Sequence, residues 1–291
     1  ETPVVLDEPT LFSVEPGTAF GQVARELATQ GFVDDPLWLR IHGRLNPEQT
    51  LIKAGDYEFT SGMTPVDMIN LMVEGKVKLW SVQFIEGWTF AEMRAALART
   101  DRLTRQTTDW TDEEIMAALG AEGQHPEGWF FPDTYLFHSG ETDLDVLKRA
   151  YNIMTGVLEE EWQNREQGLP YDSPYEALIM ASIVERETGV AGERQQVAGV
   201  FVRRLQKGMR LQTDPTVIYG MGDKYRGRIG RSDLRTWTPH NTYRIDGLPP
   251  TPIALPGRES IHAALHPDDG DALYFVARGD GSHKFSRTLA E

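Results

Sequence analysis

The chain has no cysteine among its 291 residues, so it has no disulfide framework, thiolate metal site or cysteine nucleophile. It also has no apolar run near the roughly 20 residues needed to span a bilayer; the longest, Ala177 to Val184, is interrupted by Ser182. Positive charge is scarce. A net charge of −15 and a pI near 4.9 argue against nucleic acid as a partner, since phosphates demand a broad basic surface. Only one short basic run, Lys224 to Arg235, is present.

Several catalytic patterns are missing too. There is no G-x-S-x-G elbow and no G-x-x-x-x-G-K-[ST] phosphate loop. His262 and His266 stand four apart on an expected helix, but Ala263 follows His262 where a zinc protease carries its general-base glutamate, and no third ligand is evident, so no metal is expected. Asp268 to Asp271 lacks the spacing of a calcium loop and reads as a turn. Acid/base chemistry by a carboxylate remains, and no cofactor is called for.

What is present is a folded composition, 40% hydrophobic with 10% aromatics, long enough for about two domains. The fold class expected is α+β. Residues 1–8 read as a tail and residues 9–79 as a small β-α-α-β domain: a strand after Thr10, helices over 18–30 and 36–42 with Gly43 closing the second, and a strand over 51–60 with a Gly-Asp turn inside it. A third helix over 65–73 is appended and closed by Glu74-Gly75. Residues 80–291 form a larger mixed domain, with a strand over 79–86, helices over 89–98, near 111–119, over 145–164, 175–189 and 193–207, and a hairpin over 272–287. Glu127 to Leu136 reads as an aromatic turn, and Gly247 to Gly257 as too proline-rich for regular structure.

The stretch Tyr175 to Gly189 carries the sharpest signal. At about 100° per residue, Ala177, Ile179, Met180, Ile183 and Val184 share an apolar face, and Glu187 falls there too, with Glu185 opposite and Gly189 closing the helix. A carboxyl among apolar side chains loses hydration, and its pKa rises, as a general acid requires. The alternative is a frayed end at which Glu187 reaches solvent or pairs with Arg194 or Arg203. Downstream, Leu211-Gln-Thr-Asp-Pro215 places polar side chains ahead of a helix with Pro215 in its first turn and Thr213 or Asp214 as cap, a ligand-binding lip or a plain cap.

Two resemblances follow from motifs. S-V-E-P-G-T and K-A-G-D-Y in the β-α-α-β unit resemble LysM modules, which bind N-acetylglucosamine-containing glycans; a spacer or docking role is the alternative. Over nearly the whole chain, E-G-W-F-F-P-D-T-Y, A-S-I-V-E-R-E-T, E-R-Q-Q-V-A-G-V-F-V-R-R-L, M-R-L-Q-T-D-P-T-V-I-Y-G, H-N-T-Y, G-L-P-P-T-P-I, H-P and L-Y-F-V are similar, in this order, to the endolytic murein transglycosylase (YceG-like) family. That resemblance implies internal cleavage of peptidoglycan glycan strands, with Glu187, the second glutamate of E-x-E-T, as the acid. The protonated carboxyl gives its proton to the oxygen between N-acetylmuramic acid and N-acetylglucosamine, then accepts that of the muramyl C6 hydroxyl, leaving a 1,6-anhydro end without water or a second carboxylate. The substrate's acetamido group is expected to stabilise the cation between the steps.

Gln212, Thr213, Asp214, Asn241 and Tyr243 are the expected cleft-lining groups. Hydrolysis with Asp214 or Glu86 as second acid, or non-catalytic glycan binding, are the other readings. The family further implies peptidoglycan synthases as partners and a single-pass inner-membrane protein with this region in the periplasm. The N-terminal anchor is absent from a sequence opening at Glu1, and the C-terminal tail is expected to extend past Glu291.

Overall fold

The computed structural model describes residues 2–290; the expectations attached to Glu1 and Glu291 lie outside the described residues. Eleven α-helices and three two-stranded sheets make a mixed α+β fold among the described residues. The chain divides into two compact units. One holds the chain up to Ser81 with Thr100–Thr104 and Leu136–Thr142; the other holds Val82–Arg99, Arg105–Tyr135 and the chain from Asp143 on.

In the first unit, β1 (Thr10–Val14) pairs antiparallel with β2 (Gly55–Phe59), Thr10 opposite Phe59 and Val14 opposite Gly55. Phe12 and Phe59 stack at 5.4 Å with Phe32 edge-on to both, and this trio packs with Leu27 of α1 (Phe20–Thr29) and Met68, Ile69 and Met72 of α3 (Pro65–Glu74). Each fully buried side chain of this size contributes about 1.5–3 kcal/mol. Thr64 and Asp67 form a reciprocal capping box at the start of α3, and Gly75, at φ 74°, ends it.

Two glycines act differently from expectation. Helix α2 (Pro36–Leu45) runs through Gly43 instead of ending there. A Cβ on Gly43 would sit 2.7 Å from a ring carbon of Phe20, so glycine serves close packing here. Gly55 and Asp56 begin strand β2 and form no turn inside it, and a Cβ on Gly55 would lie 2.4 Å from Val77 Cγ1.

The next elements are β3 (Leu79–Gln83), α4 (Phe90–Arg99), α5 (Asp112–Ala118) and β4 (Thr134–His138), β4 pairing with β3. Strand β4 occupies the end of the stretch expected to be only a turn: its alternation of Tyr135 and Phe137 inward is legible, but its partner lies some fifty residues earlier.

The second unit is built on α7 (Pro174–Glu187), which packs against α6 (Asp143–Gln163), α8 (Arg194–Gln206), α9 (Asp214–Met221) and α11 (Arg258–Leu265). Every residue from Ala177 to Val184 is buried, so the apolar face read from periodicity widens to the whole circumference. Such a helix is buried all round. Ser182 is tolerated because its hydroxyl donates to Ile179 O at 2.7 Å and accepts the Ile253 N–H at 3.0 Å. Ile253 belongs to the proline-rich segment, which is irregular as expected and yet buried from Pro252 to Gly257. After α10 (Arg231–Arg235) and α11, the hairpin of β5 (Tyr274–Ala277) and β6 (His283–Ser286) ends the fold. No described helix is long and apolar enough to cross a membrane.

Candidate active site

Glu187 is the last residue of α7. The helix stops because Thr188 turns extended, at φ −137° and ψ 130°, and Gly189 does not take the left-handed closure expected of it. The Thr213 hydroxyl donates to Glu187 Oε2 at 2.6 Å. Thr213 occupies the N-cap position of α9 but makes no side-chain cap, its hydroxyl being turned to Glu187 instead. The residue before it, Gln212, sits at φ 52°, a left-handed conformation costly for a non-glycine residue.

That turn is over-determined by three threonines. Gln212 N donates to Thr242 O at 3.2 Å, and Thr213 N donates to Thr242 Oγ1 at 3.0 Å. Thr216 Oγ1 donates to Thr213 O at 2.7 Å and lies 2.8 Å from Thr242 Oγ1. The two segments Gln212–Thr216 and Asn241–Tyr243 are thereby locked together, and Thr213 is aimed by that lock.

The five residues expected around Glu187 divide. Thr213 touches it directly, and Asp214 acts on it electrostatically while accepting the Tyr243 hydroxyl at 2.7 Å. Gln212 is exposed on the turn. Asn241, only 1% exposed, is a staple: its Nδ2 donates to the carbonyls of Thr236, Asp233 and Leu234 at 2.6, 3.2 and 3.3 Å, and its Oδ1 accepts Tyr243 N–H at 2.9 Å. Its amide faces backbone. Arg203, one alternative partner for Glu187, is committed to Asp268 and the Ala272 carbonyl.

Burial is the main force on the Glu187 pKa and raises it; Asp214 pushes the same way, against the Thr213 hydrogen bond and the charges of His283 and Arg204. Arg204 is itself buried, its guanidinium donating to Leu273 O at 2.7 Å and Leu211 O at 2.6 Å. Glu185 has a separate task. It accepts from Gly257 N at 3.0 Å and Ser260 Oγ at 2.7 Å, at the start of α11 where free N–H groups favour a carboxylate. Glu86, pushed up chiefly by burial, lies in the field of Glu185, Arg194 and Glu259.

A second buried acid is Glu127, which in the sequence reads as a carboxylate beside an aromatic turn, suited to a sugar ring, and not as a buried acid. It is 3% exposed, accepts Phe90 N–H at 2.9 Å and the Tyr219 hydroxyl at 3.1 Å, and burial lifts its pKa to about 7 against those two bonds. Tyr219 lies on α9, six residues past Thr213. The signal that could have found it is a lone acid leading an aromatic run.

Because the folded pKa of about 7 exceeds the ordinary carboxyl value, the stability Glu127 contributes is complete at acid pH and is lost as pH rises toward and through 7. Glu127→Gln therefore weakens the fall in stability between pH 5 and pH 8, by on the order of a few kcal/mol. Urea midpoints at the two pH values test this; an unchanged pH dependence would refute it.

His262 and His266 have the third neighbour that spacing did not reveal. Glu161 of α6 lies with Oε2 2.9 Å from His262 Nδ1, and the three side chains bring ligand-type atoms within 4.8 Å of one another. The carboxylate is already paired with Arg258 at 3.0 Å, and His266 Nε2 faces Asn164 O at 2.9 Å, so the cluster is an internally satisfied polar group between α6 and α11.

The site so described is one half-buried carboxyl at a helix end, its pKa raised chiefly by burial, backed by a rigid threonine lock. The chain matches the YceG-like family over residues 12–291. It is 34% identical over 256 residues to the endolytic murein transglycosylase of Bacillus subtilis (strain 168), covering 82% of this chain and 71% of that protein. To the endolytic murein transglycosylase of Streptococcus pneumoniae (serotype 2, strain D39) it is 29% identical over 301 aligned residues, 90% of this chain but 53% of that protein, so it spans about half of the pneumococcal relative. A 2.6 Å crystal structure of a yceG-like protein from Listeria monocytogenes superposes with a TM-score of 0.59 at 28% identity, over 97% of each chain. This protein belongs to the YceG-like family.

Proposed function

We propose that this protein is a peptidoglycan lytic transglycosylase that cuts glycan strands internally, with Glu187 as its general acid and then its base. The observation carrying the reading is the Glu187 carboxyl itself, largely withdrawn from water at the end of α7 and held by Thr213. In the protonated form it donates to the glycosidic oxygen between N-acetylmuramic acid and N-acetylglucosamine as that bond breaks. The resulting carboxylate takes the proton of the muramyl C6 hydroxyl as its oxygen closes on the anomeric carbon. The product is a 1,6-anhydro end, and the carboxyl is regenerated without water.

Supporting groups follow from the same geometry. Asp214 and Tyr243 form a hydrogen-bonded polar pair next to Glu187, and Gln212 presents an exposed amide on the strained turn. Residues 9–79 act as a LysM-like glycan-binding or docking module and residues 80–291 as the catalytic region, working at the outer face of the inner membrane on an N-terminal anchor, beside peptidoglycan synthases. Mass spectrometry of purified glycan strands after incubation tests the reaction: products lighter by one water than hydrolysis would give are expected, whereas reducing ends carrying added water identify a muramidase, with Asp214 or Glu86 as its second acid, and overturn the reading.

The pH profile carries a paired expectation. The acid works protonated, so kcat/KM falls as pH rises through the Glu187 pKa. Thr213→Val removes a bond that lowers this pKa and moves the falling limb to higher pH; Asp214→Asn removes a charge that raises it and moves the limb to lower pH. Limbs that shift in the same direction, or not at all, would contradict the assignment of Glu187.

A further inference from the structure

The β5–β6 hairpin delivers a histidine to the neighbourhood of the acid. His283 opens β6, and one carboxylate grips it twice: Glu193 Oε1 accepts its backbone N–H at 3.0 Å, and Glu193 Oε2 lies 2.8 Å from its ring Nδ1. The two side chains are 12% and 14% exposed, and Phe275 meets the imidazole edge-on at 5.2 Å. Glu193 stands six residues after Glu187, directly ahead of α8. His283 is near enough that its charge, when protonated, acts on the Glu187 carboxyl.

A carboxylate at Nδ1 dictates the tautomer. The hydrogen of the neutral ring must sit on Nδ1, which leaves Nε2 as a lone pair, on the side of the ring away from Glu193. Nε2 has no hydrogen-bond partner among the described residues. The hairpin that holds this acceptor is tied through Arg204, which donates to both Leu273 O and Leu211 O, to the turn whose Thr213 bonds Glu187, and a rigidly held acceptor there has a natural counterpart in a sugar hydroxyl.

We propose that His283 is a substrate-contacting residue whose Nε2 accepts a hydrogen bond from a hydroxyl of the sugar bound at Glu187, with Glu193 as the positioning residue that sets the ring. This rests on the transglycosylase reading and adds a second polar contact to it; the transferred proton still passes to Glu187. The contact orients the sugar for attack by its own hydroxyl, and small misplacements of reacting groups are costly.

Glu193→Gln separates orientation from fold. The amide oxygen still accepts the backbone N–H, but the amide NH2 now donates to Nδ1, so the ring hydrogen moves to Nε2 and the acceptor becomes a donor. Nitrogen-15 NMR of the wild-type ring is expected to show a protonated Nδ1 and a bare Nε2, reversed in Glu193→Gln. Cleavage of glycan strands is expected to fall about 10- to 100-fold in kcat/KM in Glu193→Gln and in His283→Ala, as for a lost hydrogen bond in a transition state, and the double variant is expected to lose no more than either single one. Melting temperatures report whether each variant is folded. A wild-type ring protonated at Nε2, or a folded Glu193→Gln that cleaves at the wild-type rate, overturns this inference alone. A wild-type protein inert on glycan strands overturns the transglycosylase reading and the substrate role with it.

Discussion

Glu187→Gln is expected to cut glycan-strand cleavage by about 10³-fold, about 4 kcal/mol of transition-state stabilisation, while leaving the fold intact. Glutamine is isosteric and its carbonyl oxygen still accepts the Thr213 hydroxyl that now meets Glu187 Oε2 at 2.6 Å, so the threonine lock has no reason to open. What the amide lacks is a proton to give and a lone pair basic enough to take one back. The effect is therefore expected in kcat, with binding of uncut strands retained. Single-turnover product analysis together with binding of the variant to purified strands measures both. Cleavage at an undiminished rate would remove Glu187 from the chemistry, whatever its surroundings.

The largest expected effect on stability is at Gly128. It adopts φ +84°, and an added Cβ would lie 2.6 and 2.7 Å from Cβ and Cγ of Pro252. A proline ring cannot swing aside, and Pro252 belongs to the buried segment whose next residue bonds Ser182 of α7. Gly128→Ala thus combines a left-handed penalty of about 1–2 kcal/mol with overpacking of about 1–3 kcal/mol, a loss of about 2–5 kcal/mol in all. Gly123 is the control. It has φ +81° with open space around it, so Gly123→Ala incurs only the backbone part. Urea midpoints for the two variants should differ clearly; equal losses would mean that the Pro252 contact carries no weight.

Much of the local structure follows from local chemistry. Thr64 and Thr111 with acids three residues on begin helices, Pro36, Pro65 and Pro174 stand at first helical positions, and the Gly279–Gly281 turn joins a hairpin. These signals depend on residues a few positions apart, and sequence displays them directly. Glu187 was singled out in the same way, by its angular position on α7. Misreadings arose where a residue serves a distant neighbour: Gly43 makes room for Phe20, and Gly55 for Val77.

What the amino-acid order determined alone was the inventory: no thiol chemistry, a helix with one broad apolar face, and one acid misplaced on it. Tertiary structure decided what that acid meets. Burial that raises its pKa, a threonine 26 residues later that bonds it, and an arginine whose charge opposes the rise, as does a histidine when protonated, all come from separate elements. Glu127 shows the same dependence, since burial among other segments raises its pKa while the hydrogen bonds from Phe90 and Tyr219 oppose the rise. Desolvation and electrostatic fields are properties of a surrounding volume, and a linear sequence specifies that volume only by folding.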